Sequence, residues 1–135
     1  MQWILPILIV IHVVPGIFWA GSTFVLARLE GMGAEQLGYP QMGAATTTVL
    51  AGAILWGFTH GGAFGTFEQV LALGAVCAIA AAGIQSAIGL PAIRRLAAAG
   101  EAERRAHRAR IAFSQRAAAG LLVITIICML VARYI

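Results

Sequence analysis

Charge is scarce in this sequence. Only 10% of its 135 residues are charged, against about 25% in a typical soluble domain. Lysine and aspartate are absent: the nine basic residues are all arginine and the five acidic residues all glutamate. Such a chain is neither an ordinary cytosolic globule nor a disordered segment. No CxxC pair, phosphate loop or nucleotide fingerprint occurs, and no Ser/His/Asp-type constellation. Every glutamate lies in a loop or at a helix end without pairing with another, and no chain of acids crosses the apolar segments. These absences argue against paired-carboxylate catalysis, hydrolase chemistry and a proton channel. A pI near 10.1 invites a nucleic-acid reading. However, seven of the nine arginines fall within 94–116 instead of spreading over a binding face, so no nucleic-acid partner is expected.

What is abundant is apolar surface: 61% of the residues are hydrophobic and the mean hydropathy is +0.91. The chain therefore reads as an integral membrane protein with an all-α bundle of four transmembrane helices. A spanning helix takes ~20 residues, so four occupy ~80 to 95 and leave no room for a separate catalytic domain. Function must lie in the bundle, its short loops or a partner.

The predicted helices cover about 3–29, 42–59, 67–90 and 108–135, within one domain over 1–135. The first apolar stretch is too long for a signal-peptide core and lacks a basic leader. A polar loop, Glu30 to Gly43, is broken by Pro40. The Gly-rich turn from His60 to Gly65 is the strongest breaker. Thr66 fits an N-cap with Gln69 reaching back, and Pro91 marks the stop of the third helix. The segment from Glu101 to Arg116 reads as a helical extension of the fourth, with Glu101 and Arg105 spaced for pairing. Arginines cluster on the cytoplasmic side of membrane proteins. The arginine-rich loop is then cytoplasmic, with both termini and the His60 turn outward and Trp3, Trp56 and Tyr134 at the outer interface. The third helix is rich in glycine and alanine between Gly74 and Gly89. Such faces associate closely in lipid, so other membrane subunits or self-association are expected partners beside the bilayer itself.

Polar residues inside a membrane are costly, and each is a functional candidate. His12 stands out. It lies ~14 Å below Trp3, and Gly16, Trp19 and Thr23 follow on its face. Pro15 frees the carbonyl of Ile11 and favours a kink. A kinked helix with histidine beside glycine accommodates a flat ligand; the plainer reading is a histidine bonded to a neighbouring carbonyl or hydroxyl. Cys77 and Cys128 lie ~14 and ~9 Å deep. Facing inward with His12 they would form a soft Cu(I) site, while as lone thiols they are small hydrophobes. His60 is a metal or cofactor candidate, or an exposed turn residue. A depth offset of ~14 Å argues against His60 sharing one haem with His12. Arg28 suits an anionic group such as a haem propionate, or lipid headgroups. Gln85 and Ser86 read as interhelical hydrogen-bonding groups, and His107 as solvated.

The stretch Ile11-His12-Val-Val-Pro-Gly-Ile-Phe-Trp19-Ala-Gly21, followed by Arg28, resembles the first helix of CopD-like copper-resistance membrane domains. It is also similar to that of HemJ-type protoporphyrinogen oxidases, four-helix proteins that bind haem b. The resemblance implies His12 as an axial haem ligand or copper contact, with Trp19 and Gly21 packing around it. HemJ-type enzymes also use a lysine, which this chain lacks. Three functions follow as expectations. The first is haem b binding through His12, for electron transfer or porphyrin redox chemistry, with Trp19, Arg28 and His60 as further cofactor contacts. The second is a cofactor-free accessory subunit of a larger membrane complex. The third is copper handling through His12, Cys77 and Cys128. No residue pattern assigns catalysis.

Overall fold

Nearly every residue from 4 to 28 is apolar, so hydrophobic periodicity says little about which face of this segment is buried. Its few polar and aromatic residues decide instead. In the computed structural model, which describes residues 2–62 and 64–135, the segment forms α1 (Ile4–Arg28) and buries Trp19, Ser22, Thr23 and Leu26. It is followed by α2 (Ala34–Thr59), α3 (Thr66–Ile84), a π turn (Gln85–Gly89), α4 (Leu90–Leu96) and α5 (Glu101–Val131). A short 3-10 turn, Ala132–Tyr134, ends the chain. There is no strand among the described residues. Because α3, the π turn and α4 run on as one rod, the result is a four-helix bundle. All four rods are long and apolar enough to cross a membrane.

The rods pair as two hairpins. α1 packs along α2 and α3 along α5, while α5 also touches α1, and α2 meets α3 and α4 more loosely. Thus α1 stands diagonally across from α3, and α2 across from α5. The buried stripes recur every three or four residues, as in Ala34, Gly38, Gln41 and Ala45 of α2. At mid-height Trp19 is surrounded by small residues, Ala45, Ala78, Ala81 and Ala118, with Leu122. Small side chains let backbones approach, and it is van der Waals contact, not expulsion of water, that joins helices in lipid. A second cluster of Leu26, Ala34, Ala92, Ile93, Leu96 and Ile111 closes the arginine-rich end.

Three boundaries differ from the sequence expectations. The expected loop over Glu30 to Gly43 shrinks to a tight turn, and α2 begins at Ala34 and runs through Pro40. Pro40 lies on an exposed face near the helix start. There the carbonyl left without its N–H partner can be hydrated, which offsets the usual penalty of an internal proline. The third rod does not stop near Pro91 either. The π turn just before it widens the helix, and the Leu90 N–H reaches back five residues to the Gln85 carbonyl. Inserted turns of this kind absorb local disruption without ending a helix. At the start of α3 the N-cap is Gly65, not Thr66. Glu68, not Gln69, reaches back, accepting the Gly65 N–H at 2.8 Å. A carboxylate in the first turn also complements the helix dipole.

The turn between α1 and α2 is left-handed at Glu30 (φ 54), Gly31 (φ 82) and Gly33 (φ 91). Gly31 is buried under α5, and a Cβ there would lie 2.7 Å from Ile111 Cγ2. Its carbonyl accepts a bond from Arg108 Nη1 at 3.0 Å. Arg108 also grips Glu35 at 2.6 and 3.2 Å, and Arg116 pairs with Glu30 at 3.1 Å. The first turn and the arginine-rich segment therefore occupy the same end of the bundle and are fastened to each other. His107, expected to be solvated, is half-buried with Nδ1 shielded from solvent.

Candidate functional site

His12 is placed by two absences of side chain. α1 and α2 approach closely because Gly16 and Gly52 carry none. A Cβ on Gly16 would sit 3.3 Å from Thr48 Cγ2, and one on Gly52 would sit 2.9 Å from His12 Cε1. Into this contact His12 directs Nδ1, 2.8 Å from the backbone carbonyl of Thr48. A carbonyl only accepts, so Nδ1 carries the hydrogen and Nε2 of the neutral ring holds a free lone pair. That is the tautomer a metal-ligating histidine adopts, its second nitrogen anchored to a carbonyl. It also realises the plainer expectation of a bond to a neighbouring carbonyl. Beside it, Thr48 Oγ1 is buried without a partner among the described residues, whereas Thr46 and Thr47 bond carbonyls four residues back.

The other predicted site residues are distributed. His60 Nδ1 lies 2.7 Å from Thr59 Oγ1, whose own hydrogen goes to the Leu55 carbonyl. The His60 ring is stacked between Trp56 and Phe67, with centroids 4.7 and 5.4 Å away. It fastens the turn between α2 and α3. Eight residues of helix, ~12 Å, separate it from Gly52, which touches His12. Cys77 and Cys128 are both buried. Cys128 lies against Gly74, whose added Cβ would be 2.9 Å from Cys128 Cβ. Among the described residues no three His, Cys, Asp or Glu side chains gather in a metal-holding group. Arg28 ends α1 and lines a cleft at the arginine-rich end.

Trp19 belongs to a different constellation, two helical turns below His12. Its Nε1–H donates to Gln85 Oε1 at 2.7 Å. Tryptophan can only donate, so Gln85 must present its oxygen there and turn its amide nitrogen away. That nitrogen donates to Thr23 Oγ1 and to Gln115 Oε1, both at 3.0 Å. Gln115 must then offer its own nitrogen to Gln41 Oε1, at 3.0 Å. Gln41 Nε2 returns to α1, donating to Thr23 Oγ1 at 3.0 Å and Ser22 Oγ at 3.1 Å. The Thr23 hydroxyl closes on the Trp19 carbonyl at 2.7 Å. Every donor direction is dictated by the one before it. Six side chains from four rods form this circuit, and Trp19, Thr23, Gln41, Gln85 and Gln115 are at most 2% exposed. It contains no titratable group, so it fixes geometry and does not move protons.

Gln41 and Gln115 were missed from the sequence because one was assigned to a loop and the other to a solvated extension. The available signal was a glutamine beside small residues on each of three helices: Gln41 before Gly43–Ala45, Gln85 after Ala80–Gly83 and Gln115 before Ala117–Gly120. Compared with known proteins, the chain matched no family model, no curated protein and no solved structure.

Proposed function

We propose that this chain is a small bacterial inner-membrane protein that binds haem b through His12, for one-electron transfer or porphyrin redox chemistry. One observation carries the reading: the His12 Nδ1 bond to Thr48 O orients the ring and leaves Nε2 as the nitrogen available to a metal, the arrangement of a ligating histidine anchored through its other nitrogen. The donor fits the group, and bound haem would supply the one-electron couple. The chain's own contribution is the orientation of the ring by Thr48 and the close approach of α1 and α2 that Gly16 and Gly52 permit. His60 is too far along α2 to be the second ligand in the same chain. The finer placement, with the arginine-rich end cytoplasmic and both termini outward, rests on the one-sided arginine distribution.

The test is an absorption spectrum of protein purified after expression with haem supply. A Soret band that disappears in His12→Ala and persists in His60→Ala is expected. No band at all, or the same band in His12→Ala, sinks the proposal.

A second reading, a cofactor-free accessory subunit, is favoured by the uncharged circuit around Gln85, which makes the bundle a rigid scaffold. Co-purification of another membrane protein in mild detergent, with no pigment, would favour it; a lone pigmented chain would count against it. Copper handling has no comparable support, since His12 bonds α2 while the cysteines lie on α3 and α5.

A further inference from the structure

The arginine-rich end carries a cleft of about 510 Å³ between the end of α1 and the start of α5. Three guanidinium groups line it, those of Arg28, Arg105 and Arg108, together with the carboxylate of Glu30. Their charges are not equally compensated. Arg108 is committed to Glu35 and the Gly31 carbonyl, and Glu30 is committed to Arg116. Arg105 meets only Glu101, at 3.5 Å, with both side chains more than four-fifths exposed. Such a solvated pair within one helix holds its members weakly. Arg28 has no carboxylate in ion-pair reach among the described residues. The cleft is thus left with one cation without an ion pair, Arg28, and one, Arg105, held only by a solvated pair.

The remaining lining is apolar, including Leu29, Met32 and Ala112. Met32 is 62% exposed, and Leu29 is exposed beside it. Arg28 is the last residue of a membrane-length helix, so the cleft opens where apolar chain gives way to polar surface. A soluble anion would use only the charged wall. A molecule with a phosphodiester and a hydrocarbon part uses both. We propose that this cleft is a binding site for an anionic phospholipid, with its phosphate between Arg28 and Arg105 and its glycerol and acyl portion along Leu29 and Met32. Guanidinium groups suit phosphate oxygens because they donate in pairs, and juxtamembrane basic residues favour anionic lipid. The site is independent of any cofactor at His12.

Native mass spectrometry of the full chain in detergent tests this, with phosphatidylglycerol and phosphatidylcholine of the same acyl chains, and inorganic phosphate as a third arm. Phosphatidylglycerol is expected to be retained in preference to phosphatidylcholine, with about fivefold weaker retention for each of Arg28→Gln and Arg105→Gln. Arg133→Gln, at the opposite end, should retain it as the unaltered chain does. Equal retention of the two lipids by the unaltered chain overturns the site without any variant. So does undiminished selectivity in the Arg28→Gln/Arg105→Gln double variant. Displacement of the lipid by millimolar inorganic phosphate alone would show a free-anion site and overturn the lipid assignment.

Discussion

Between Trp19 and the arginine-rich end, six side chains close a hydrogen-bond circuit through all four rods. Ion pairs also fasten the first turn to α5, and Arg94 donates to the Tyr39 hydroxyl at 2.9 Å. Between Trp19 and the other end the ties are far fewer. α1 and α2 share the His12 bond to Thr48 and the glycine contacts around it. α3 and α5 share a bond from Thr125 Oγ1 to the Gly74 carbonyl at 2.9 Å and the contact of Gly74 with Cys128. In the tied half each donor of the circuit has a prescribed acceptor, so the arrangement of the helices is specified. In the other half the two hairpins are fixed internally but little fixes one to the other. That half also holds the histidine with an unused nitrogen. On the proposed haem reading, a rigid frame would support a less constrained binding region.

The largest break in this contrast should come from Gln85→Leu. It leaves the buried Trp19 N–H without a partner and removes one of the two bonds that Thr23 Oγ1 and Gln115 Oε1 each accept from glutamine. The bundle should lose about 2–3 kcal/mol, since hydrogen bonds between membrane helices are worth roughly 0.6–2 kcal/mol each. Thermal unfolding in detergent measures it, and a variant as stable as the parent would mean the circuit contributes nothing. Gly31→Ala comes next. It forces a left-handed φ on a residue with a Cβ and drives that atom into Ile111, for a cost of about 2 kcal/mol. Detachment of the first turn should show as faster proteolysis there.

Gly52→Ala probes the looser half. Its Cβ would displace the His12 ring from Thr48, which costs only about 1 kcal/mol. If His12 holds haem, the same change should shift or weaken the Soret band. A small stability effect with a large spectral effect would sharpen the contrast between the halves; the reverse would blur it. Ser86→Ala should be the mildest, below about 0.5 kcal/mol. The Ser86 hydroxyl bonds only the Ala82 carbonyl of its own helix, at 2.7 Å, and is exposed. A loss as large as that of Gln85→Leu would place Ser86 in an interface that the single chain does not contain.

Much of the fold is legible from composition. Four apolar segments, the helical character of Glu101 to Arg116 and the shared end of the first turn and the arginine block all follow from hydropathy and charge. Helix ends were less legible. Pro40 and Pro91 look like breakers locally, but an exposed carbonyl beside one and a π turn before the other let both helices continue. The continuation through Pro40 brings Gln41 to the core, where it meets Gln115 of α5, which is why the polar circuit could not be seen one segment at a time. His12, Trp19, Thr23 and Gln85 were each visible as intramembrane polar residues. Their division into a His12–Thr48 contact and a separate circuit was not, because the partners lie dozens of residues away.

The scarcity of charge alone thus determined the class of molecule, since a chain with this little polar surface and four runs of this length must bury its backbone bonds in helices within an apolar medium. Tertiary structure decided which polar residues meet. Hydrogen bonds are directional and short-ranged, so whether Trp19 serves a ligand or Gln85, and whether Nε2 of His12 stays free, depends on how the helices register against one another, and residue spacing along one helix does not encode that.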